Sequence, residues 1–261
     1  MHDIHIHTSL SECARPDSSP AEYFGLIPVR GLSTAGFSNH LWDSAVPGAS
    51  NWYRPQDIEH VLPLKSELAE MHLPGVKLLF GCEIEYIGGG IISLHRDHVE
   101  LFDYVLAAPN HFHMKDFVCP AAISEGKAIA ELFYVRFMEV CEFDFVTGIA
   151  HPFFPFGFSG REREVLSLFS EKRLEICFRT ARACHKSIEV NFSCLRKLEV
   201  FGGLEDYRRI MRIAVDCGCR FHVGSDAHGV CMFGEDTFTR GKQFAADCSI
   251  RFPENPLAKE V

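Results

Sequence analysis

The sequence lacks a long uninterrupted apolar run, and it also lacks an excess of positive charge. Its 26 Lys and Arg residues are outnumbered by 35 Asp and Glu residues among 261, which gives a formal net charge of −9. That balance disfavours the broad positive surface that long nucleic acids attract, but it is compatible with a small anionic substrate. No segment predicts a transmembrane helix. Because His2, Asp3, His5 and His7 interrupt the beginning of the chain, no signal peptide is predicted.

Closely spaced cysteine pairs of the zinc-knuckle type are absent, although the chain contains 11 cysteines. Cys217 and Cys219 are separated by a single glycine, which is shorter than the spacing of most zinc knuckles. Scattered cysteines in a chain with no predicted leader favour free thiols over disulfides. We therefore expect a cytoplasmic protein with no membrane partner and no stable nucleic-acid partner.

Short apolar runs alternate with helical stretches, which is typical of a parallel sheet with helical crossovers. The predicted strands are Ile4–Ile6, Leu32–Phe37, Val76–Ile84, Tyr104–Ala108, Phe145–Ala150, Ile188–Phe192 and Phe221–Gly224. Several are continuously apolar, as in sheets that are buried on both faces. Because this number of strands can close a barrel, we predict an α/β barrel. We expect residues 1–261 to form one domain.

Amphipathic spacing predicts helices between these strands. The predicted helices are Pro55–His72, Ser124–Cys141, Arg163–His185 and Leu204–Cys217. Pro63 predicts a kink or break in the first of them. The glycines Gly88–Gly90 lack the other residues of a phosphate-binding loop, so they predict a hairpin turn or a flexible loop.

Histidines and carboxylates recur near the ends of the predicted strands. His5 and His7 alternate along the first strand, so their side chains are expected to share a face. The further candidates are Glu12, His40, Glu83, His111, His151, Asp226 and His228. The carboxyl ends of parallel barrel strands all point to one face, so these residues are expected to converge there. Such a cluster of imidazoles and carboxylates can bind several divalent cations.

These residues and their neighbours resemble the polymerase and histidinol phosphatase family, usually called the PHP family of metal-dependent phosphoesterases. The resemblance spans the chain and occupies all nine ligand positions of that family. It is carried by Asp3-Ile4-His5-Ile6-His7-Thr8, Glu12, Phe37-Ser38-Asn39-His40, Gly81-Cys82-Glu83-Ile84-Glu85, Asn110-His111-Phe112, Ala150-His151-Pro152 and Gly224-Ser225-Asp226-Ala227-His228. It implies a distorted seven-stranded, TIM-like (β/α)7 barrel, which agrees with the strand count.

The resemblance implies a trinuclear metal site with zinc, iron or manganese. His5, His7, Glu83 and Asp226 would hold one ion; Glu83, His111 and His151 a second; and Glu12, His40 and His228 a third. Glu83 would therefore bridge two ions. One departure is Asn39, where the family commonly has an aspartate; its amide is expected to hydrogen-bond the His40 imidazole, with a weaker effect on ring basicity than a carboxylate.

The implied reaction is attack of a metal-activated hydroxide on a small phosphate monoester. Glu83, Asp226 and His228 are the expected catalytic residues. The segment Glu189–Lys197 resembles the histidinol phosphatase branch, so Arg196 is expected to bind phosphate and L-histidinol phosphate is the first candidate substrate. Lys197 would be a less directional cation. His113 is a second candidate substrate contact, although its position also suits the rim of the site.

Three alternatives stay open at this point. The same metal cluster can cleave diesters, so the chain could act as a phosphodiesterase or exonuclease on nucleotides or single-stranded ends. A catalytically weak metal-binding scaffold is another class of function. Residues 41–75 contain Trp42, Trp52, Tyr53 and Arg54, which suit either a specificity pocket or packing against a barrel rim. The sequence does not decide whether these residues form a lid, nor does it give the oligomeric state.

Overall fold

The fold, seen in a computed structural model that describes residues 1–120, 123 and 125–257, is built on one curved sheet. Its strands are β1 (His2–Ile6), β2 (Thr34–Leu41), β3 (Lys77–Gly88), β4 (Ile91–Ile92), β5 (Tyr104–Ala108), β6 (Gly148–Ile149), β7 (Ser187–Asn191) and β8 (Arg220–Gly224). All neighbours along the order β1-β2-β3-β5-β6-β7-β8 are parallel, and β4 pairs antiparallel with β3.

Helices connect the parallel strands, as the crossovers of such a sheet require. They are α1 (Pro20–Phe24), α2 (Leu26–Val29), α3 (Ile58–Val61), α4 (Pro63–Glu70), α5 (Gly126–Cys141), α6 (Glu162–Ser167), α7 (Glu171–Ala183), α8 (Phe192–Phe201), α9 (Leu204–Asp216) and α10 (Glu235–Asp247). A 3₁₀ helix covers Arg96–Leu101. Among the described residues, none of these helices has the length and apolar character needed to cross a membrane.

The sheet closes into a nearly complete barrel where β1 meets the segment that follows β8. The backbone N–H of Asp226 donates to the carbonyl oxygen of His5 at 2.7 Å, and that of His7 donates to Ala227 at 3.0 Å. A parallel bridge also joins Ile6 and Ala227. Seven parallel strands with flanking helices therefore form the TIM-like α/β barrel that the strand pattern predicts.

The apolar side chains form two separate clusters. Tyr104, Leu106 and Ala108 alternate along β5 and pack with Ile4 in the smaller cluster, inside the barrel. The intervening residues of β5 belong to the larger cluster, which lies between the sheet and the helices. This is the period-two alternation of a strand buried on both faces. The Tyr104 ring occupies the space above Gly81, where a Cβ atom would lie 2.2 Å from the ring.

Several predicted element boundaries need correction. The predicted helix Arg163–His185 is two helices, α6 and α7, because the backbone N–H of Ser170 donates to the Tyr134 hydroxyl instead of to a helical carbonyl. The predicted strand Phe145–Ala150 is only two residues long, since Val146 hydrogen-bonds to Phe143 in a turn.

Other boundaries shift less. The second strand begins two residues later than predicted and extends through His40 to Leu41. The predicted break at Pro63 separates α3 from α4, and Gly88–Gly90 connect β3 to β4 as a hairpin. Ser124, the predicted start of α5, lies outside the described residues. The organisation of residues 1–261 as one domain stays a prediction.

Candidate metal centre

The carboxyl ends of the barrel strands bring most of the predicted ligands together. Each lies in a strand or in the segment that follows one. These residues are His5 and His7 with β1, His40 in β2, Glu83 in β3, His111 after β5, His151 after β6, and Asp226 and His228 after β8. Within the described part of the chain, three groups have ligand atoms within 4.8 Å of one another: His7, His40 and His228; His5, His7 and Glu83; and Glu83, His111 and His151.

Glu83 lies at the centre of this cluster, with only 1% of its surface exposed. Its Oε1 lies 2.9 Å from His151 Nε2 and 3.7 Å from His111 Nε2. Its Oε2 lies 2.9 Å from His40 Nδ1 and 3.3 Å from His5 Nε2. The two carboxylate oxygens thus face two different groups of imidazoles.

The orientation of four imidazoles is fixed by hydrogen bonds from Nδ1. His5 donates to Glu189 Oε1 at 2.6 Å, and His111 donates to Glu85 Oε2 at 2.6 Å. The side chain of Asn110 accepts from His151 at 3.1 Å, and the hydroxyl of Ser11 accepts from His7 at 3.0 Å. An Nδ1–H that is engaged in this way leaves the Nε2 lone pair available for a cation.

The donor role of His7 Nδ1 follows from the bonds around Ser11. The Ser11 hydroxyl donates its proton to Asn39 Oδ1 at 2.9 Å, so it must accept from the imidazole. The same Asn39 oxygen accepts from the backbone N–H of Thr8 at 2.7 Å, which fixes the orientation of the amide. The predicted bond from Asn39 to His40 is therefore not formed, and Asn39 orients His7 through Ser11 instead.

The inward-facing nitrogens fit a bound cation. His5 Nε2 and His7 Nε2 are 3.0 Å apart, and both Nδ1 positions are already used as donors. Two neutral imidazoles would place lone pairs face to face there, so a positive charge has to lie beside them. The buried Oε2 of Glu83 also has no hydrogen-bond donor among the described residues. Imidazole nitrogens and carboxylate oxygens are suitable ligands for zinc, iron and manganese.

The electrostatics of the cluster agree with this requirement for positive charge. Burial alone would raise the pKa of Glu83, but the charges of His5 and His40 hold that pKa well below its usual range. Burial would lower the pKa of His5, yet Glu189 and Glu83 raise it well above its usual value. The carboxylates therefore stabilise positive charge at the position where the imidazoles converge.

Local backbone conformation also contributes to the cluster. His151 and Asp226 have φ values of 32° and 51°, in the left-handed region that residues other than glycine rarely adopt. Both follow the ends of strands. Asp226 Oδ1 lies 3.3 Å from His7 Nε2, and Asn191 donates to Asp226 Oδ2 at 3.1 Å. Unusual backbone angles at such positions are typical of functional sites.

Glu12 is the predicted ligand that the structure does not bring into the cluster. It is exposed, and its backbone N–H donates to the side chain of Gln56 at 3.0 Å. The neighbouring Cys13 lies at the cavity instead, and His7 joins His40 and His228 in the third group of ligand atoms.

A cavity of about 590 Å³ opens beside Glu83, Asp226 and His228. His113 lies along its wall, and Lys197 also lines it. Arg196 is exposed and is not among the lining residues. In the segment 41–75, Trp52 and Tyr53 line the cavity, Trp42 is buried behind Tyr53, and Arg54 is exposed.

The residues that orient the ligands leave only partial signals in the sequence. Glu85 lies two positions after a ligand, and Glu189 lies in a strand next to ones that carry ligands. Because both residues are acidic, their positions allow the interpretation that they orient the ligands. Ser11 and Asn110 carry no such charge signal. Asn110 is adjacent to His111 in the sequence, but this gives no indication of its contact with His151. That contact depends on how the segment after β5 packs against β6.

No protein-family profile matches the chain, and no curated protein sequence matches it. Solved structures with the same fold do match. Histidinol phosphate phosphatase from Lactococcus lactis subsp. lactis, complexed with zinc, L-histidinol and phosphate, is 15% identical with a TM-score of 0.60 over 96% of this chain and 94% of that chain. A provisionally assigned histidinol phosphatase from Listeria monocytogenes is 14% identical with a TM-score of 0.67 over 92% of this chain and 99% of that chain. The resemblance predicted from the sequence is confirmed at the level of the fold.

Proposed function

We propose that this chain is a metal-dependent phosphatase of the PHP family that hydrolyses a small phosphate monoester. The observation that carries the proposal is the position of Glu83, which directs one carboxylate oxygen at His151 and the other at His40, each across 2.9 Å. A carboxylate in this position can hold two cations side by side, as two-metal phosphoesterases require. The structural neighbour complexed with zinc and phosphate supports the same interpretation.

The cluster contains ligands for three cations. His5, His7, Glu83 and Asp226 would hold the first, and Glu83, His111 and His151 the second. The third would lie between His40 and His228, with Glu12 as the further ligand that the sequence predicts; His7 Nε2 also lies close to these two histidines, but its single lone pair is already used for the first cation. Divalent cations in these positions would supply Lewis acidity and positive charge to a phosphate ester.

Asp226 and His228 are assigned, with Glu83, to the catalytic group. The Nδ1–H of His228 donates to the carbonyl oxygen of Asp226 at 2.9 Å, and the His228 ring stacks on His7 with 4.0 Å between centroids. These contacts fix both side chains at the edge of the cavity. Asp226 Oδ1, the carboxylate oxygen that is not bonded to Asn191, is the atom we assign to receive the proton of the attacking water.

Lys197 is assigned to bind the phosphate anion. Its Nζ lies 5.4 Å from the centroid of Phe156, and that ring contacts His111 at 5.4 Å between centroids. No carboxylate lies within 4.0 Å of this ammonium in the part of the chain that the structure describes, so its charge is available to a ligand. Arg196 stays a prediction for the same role. His113, which contacts Phe156 at 5.7 Å, is assigned to the leaving-group side.

L-Histidinol phosphate is the first substrate to test, because the Lactococcus lactis neighbour is complexed with L-histidinol and phosphate. A cytoplasmic location accompanies the proposal. All 11 cysteines are free, which suits a reducing compartment.

The test is phosphate release by protein that has been stripped of metal and reloaded with manganese, iron or zinc. The panel contains L-histidinol phosphate, sugar phosphates, nucleotides and short oligonucleotides. Glu83→Gln is expected to lower the bound-metal stoichiometry and to decrease turnover at least about 100-fold, because an amide cannot replace a bridging carboxylate. Glu59→Gln, on the exposed side of α3, is the matched control.

The outcomes separate the three classes of function. Release of phosphate from monoesters, lost in Glu83→Gln and retained in the control, supports the phosphatase. Faster cleavage of nucleotide diesters would favour a phosphodiesterase. Full metal loading without turnover of any ester would indicate a binding scaffold and overturn the proposal.

A further inference from the structure

The wall of the cavity beside the ligand cluster is largely aromatic. Trp52 contacts the His40 ring with 5.4 Å between centroids, so it flanks one side of the cluster. Phe156 contacts the His151 ring at 4.9 Å and flanks the other side. Phe117 also lines the cavity and packs against Tyr53 at 6.1 Å. A group leaving the phosphorus atom would therefore meet flat apolar surfaces.

These aromatic side chains are held in place by contacts with one another, although Trp52 is 37% exposed. The Tyr53 hydroxyl donates to Glu85 Oε2 at 2.8 Å, and Glu85 in turn accepts from His111. The Trp52 ring packs against Tyr53 with 4.7 Å between centroids. The aromatic wall is thus connected to the ligand cluster by a hydrogen-bonded chain, which makes its geometry a defined part of the site.

The charges around the cavity disfavour a cationic substrate. Among the described residues that line it, the only carboxylates are Glu83 and Asp226, and both belong to the ligand cluster. Within that same described lining, the only lysine or arginine is Lys197. An ammonium group on the leaving alcohol would therefore meet a cation, while both lining carboxylates are engaged in the cluster. Burying a charge without a partner costs binding free energy.

We infer that the preferred substrate is a phosphate monoester whose leaving group is flat, apolar and without an ammonium group. This inference rests on the proposed function, and it narrows the substrate class away from cationic amino alcohols. The aromatic rings would stack on the leaving group, while Lys197 and the ligand cluster receive the phosphate. L-Histidinol phosphate, which carries an ammonium group, is then expected to be a poorer substrate than an uncharged aromatic ester.

The test compares two primary alkyl esters with closely similar leaving-group chemistry, benzyl phosphate and 4-(aminomethyl)benzyl phosphate, with L-histidinol phosphate as a third. We expect kcat/KM to be at least about tenfold higher for benzyl phosphate than for the aminomethyl ester, the range that one unfavourable buried charge supplies, because both esters make the same aromatic contact. Calorimetry with benzylphosphonate and 4-(aminomethyl)benzylphosphonate measures the same preference without turnover.

Two variants locate the preference in this cavity. Lys197→Met, at an exposed position of α8, weakens binding of all phosphate esters and should also reduce the discrimination against the aminomethyl compounds, measured as a ratio of kcat/KM values. Phe117→Leu should weaken binding of benzylphosphonate more than binding of methylphosphonate. Circular dichroism verifies that both variants are folded.

The results distinguish this inference from the proposed function. Equal or better hydrolysis of the aminomethyl ester or of L-histidinol phosphate would overturn the inference and leave the phosphatase intact. Preferential binding of benzylphosphonate by metal-loaded protein that hydrolyses no ester would overturn the phosphatase and retain the recognition of a flat apolar group. Absence of any phosphonate binding would overturn the inference.

Discussion

His5 donates its Nδ1–H to Glu189 Oε1 across 2.6 Å, and this bond joins β1 to β7 beneath the ligand cluster. Glu189 is fully buried and also accepts the backbone N–H of His151 through Oε2. One carboxylate therefore orients ligands on both sides of Glu83. Its negative charge also favours the positive charge that the cluster needs.

Glu189→Gln is expected to lower metal affinity about 10-fold to 100-fold. A glutamine has one acceptor oxygen, so it cannot accept from both His5 and His151 without presenting an amide N–H to one of them. The measurement is metal binding by competition with a chromogenic chelator. Glu199, on α8, forms an exposed ion pair with Arg240. Glu199→Gln removes that pair and should leave the metal affinity unchanged. Wild-type affinity in Glu189→Gln would contradict the orienting role.

Gly224→Ala tests the same contact from the backbone. A Cβ atom at Gly224 would lie 1.7 Å from Glu189 Oε1 and 2.8 Å from the Cβ of His5. We expect the alanine to displace Glu189 and to lower bound metal below half of the wild-type content, measured by elemental analysis. Gly25→Ala is the control, since Gly25 has an ordinary φ of −71° and a Cβ there would meet no described atom within 4 Å. Normal metal content in Gly224→Ala would show that the strands can shift without cost.

The parallel strands and the strand-end ligands are predictable because both depend on local patterns. Continuous apolar runs identify buried strands, and parallel geometry brings their carboxyl ends to one face. The break between α6 and α7 is not predictable, since it depends on a hydrogen bond from Ser170 to Tyr134, which is remote in sequence.

The site shows the same division between local and remote signals. His5 and His7 belong to one short motif, and their Nε2 atoms do converge. The bond from His7 to Ser11 and onward to Asn39 depends on the pairing of β1 with β2, whereas adjacency in the sequence predicts a bond from Asn39 to His40 instead. The direction of the Glu12 side chain depends on the loop that follows β1, which carries no period in the sequence.

Lys197 and Arg196 are adjacent in α8, but we expect their replacement to affect phosphate-ester binding to different extents. Lys197→Met should raise KM for a phosphate monoester about tenfold, because the ammonium that faces the cavity is lost. Arg196→Met should have a smaller effect, since Arg196 is exposed and does not line the cavity. Steady-state kinetics at constant metal occupancy measures both. A larger effect at Arg196 would reassign the phosphate contact to the residue that the sequence favours.

The fourth prediction concerns His222, a fully buried histidine in β8 whose Nδ1 lies 2.9 Å from the Ser187 hydroxyl. Burial lowers the pKa of His222 from 6.5 to about 3. The folded protein therefore keeps this imidazole neutral at pH values where the unfolded chain binds a proton. The contribution of the neutral His222 to the free energy of unfolding is fully present above pH 6.5 and is lost as the pH falls toward 3.

His222 alone is expected to remove about 2 kcal/mol from the free energy of unfolding between pH 8 and pH 5. The buried His2, whose pKa is lowered to about 4 by burial, changes the free energy of unfolding in the same direction. Burial raises the pKa of Asp3 to about 7, so Asp3 changes it in the opposite direction.

Comparing urea unfolding of the metal-free wild type and His222→Gln cancels the contributions of His2 and Asp3. The variant should lose about 2 kcal/mol less than the wild type over this range, while the exposed His72→Gln should match the wild type. Equal losses in all three proteins would mean that His222 accepts a proton in the folded state as readily as in the unfolded chain.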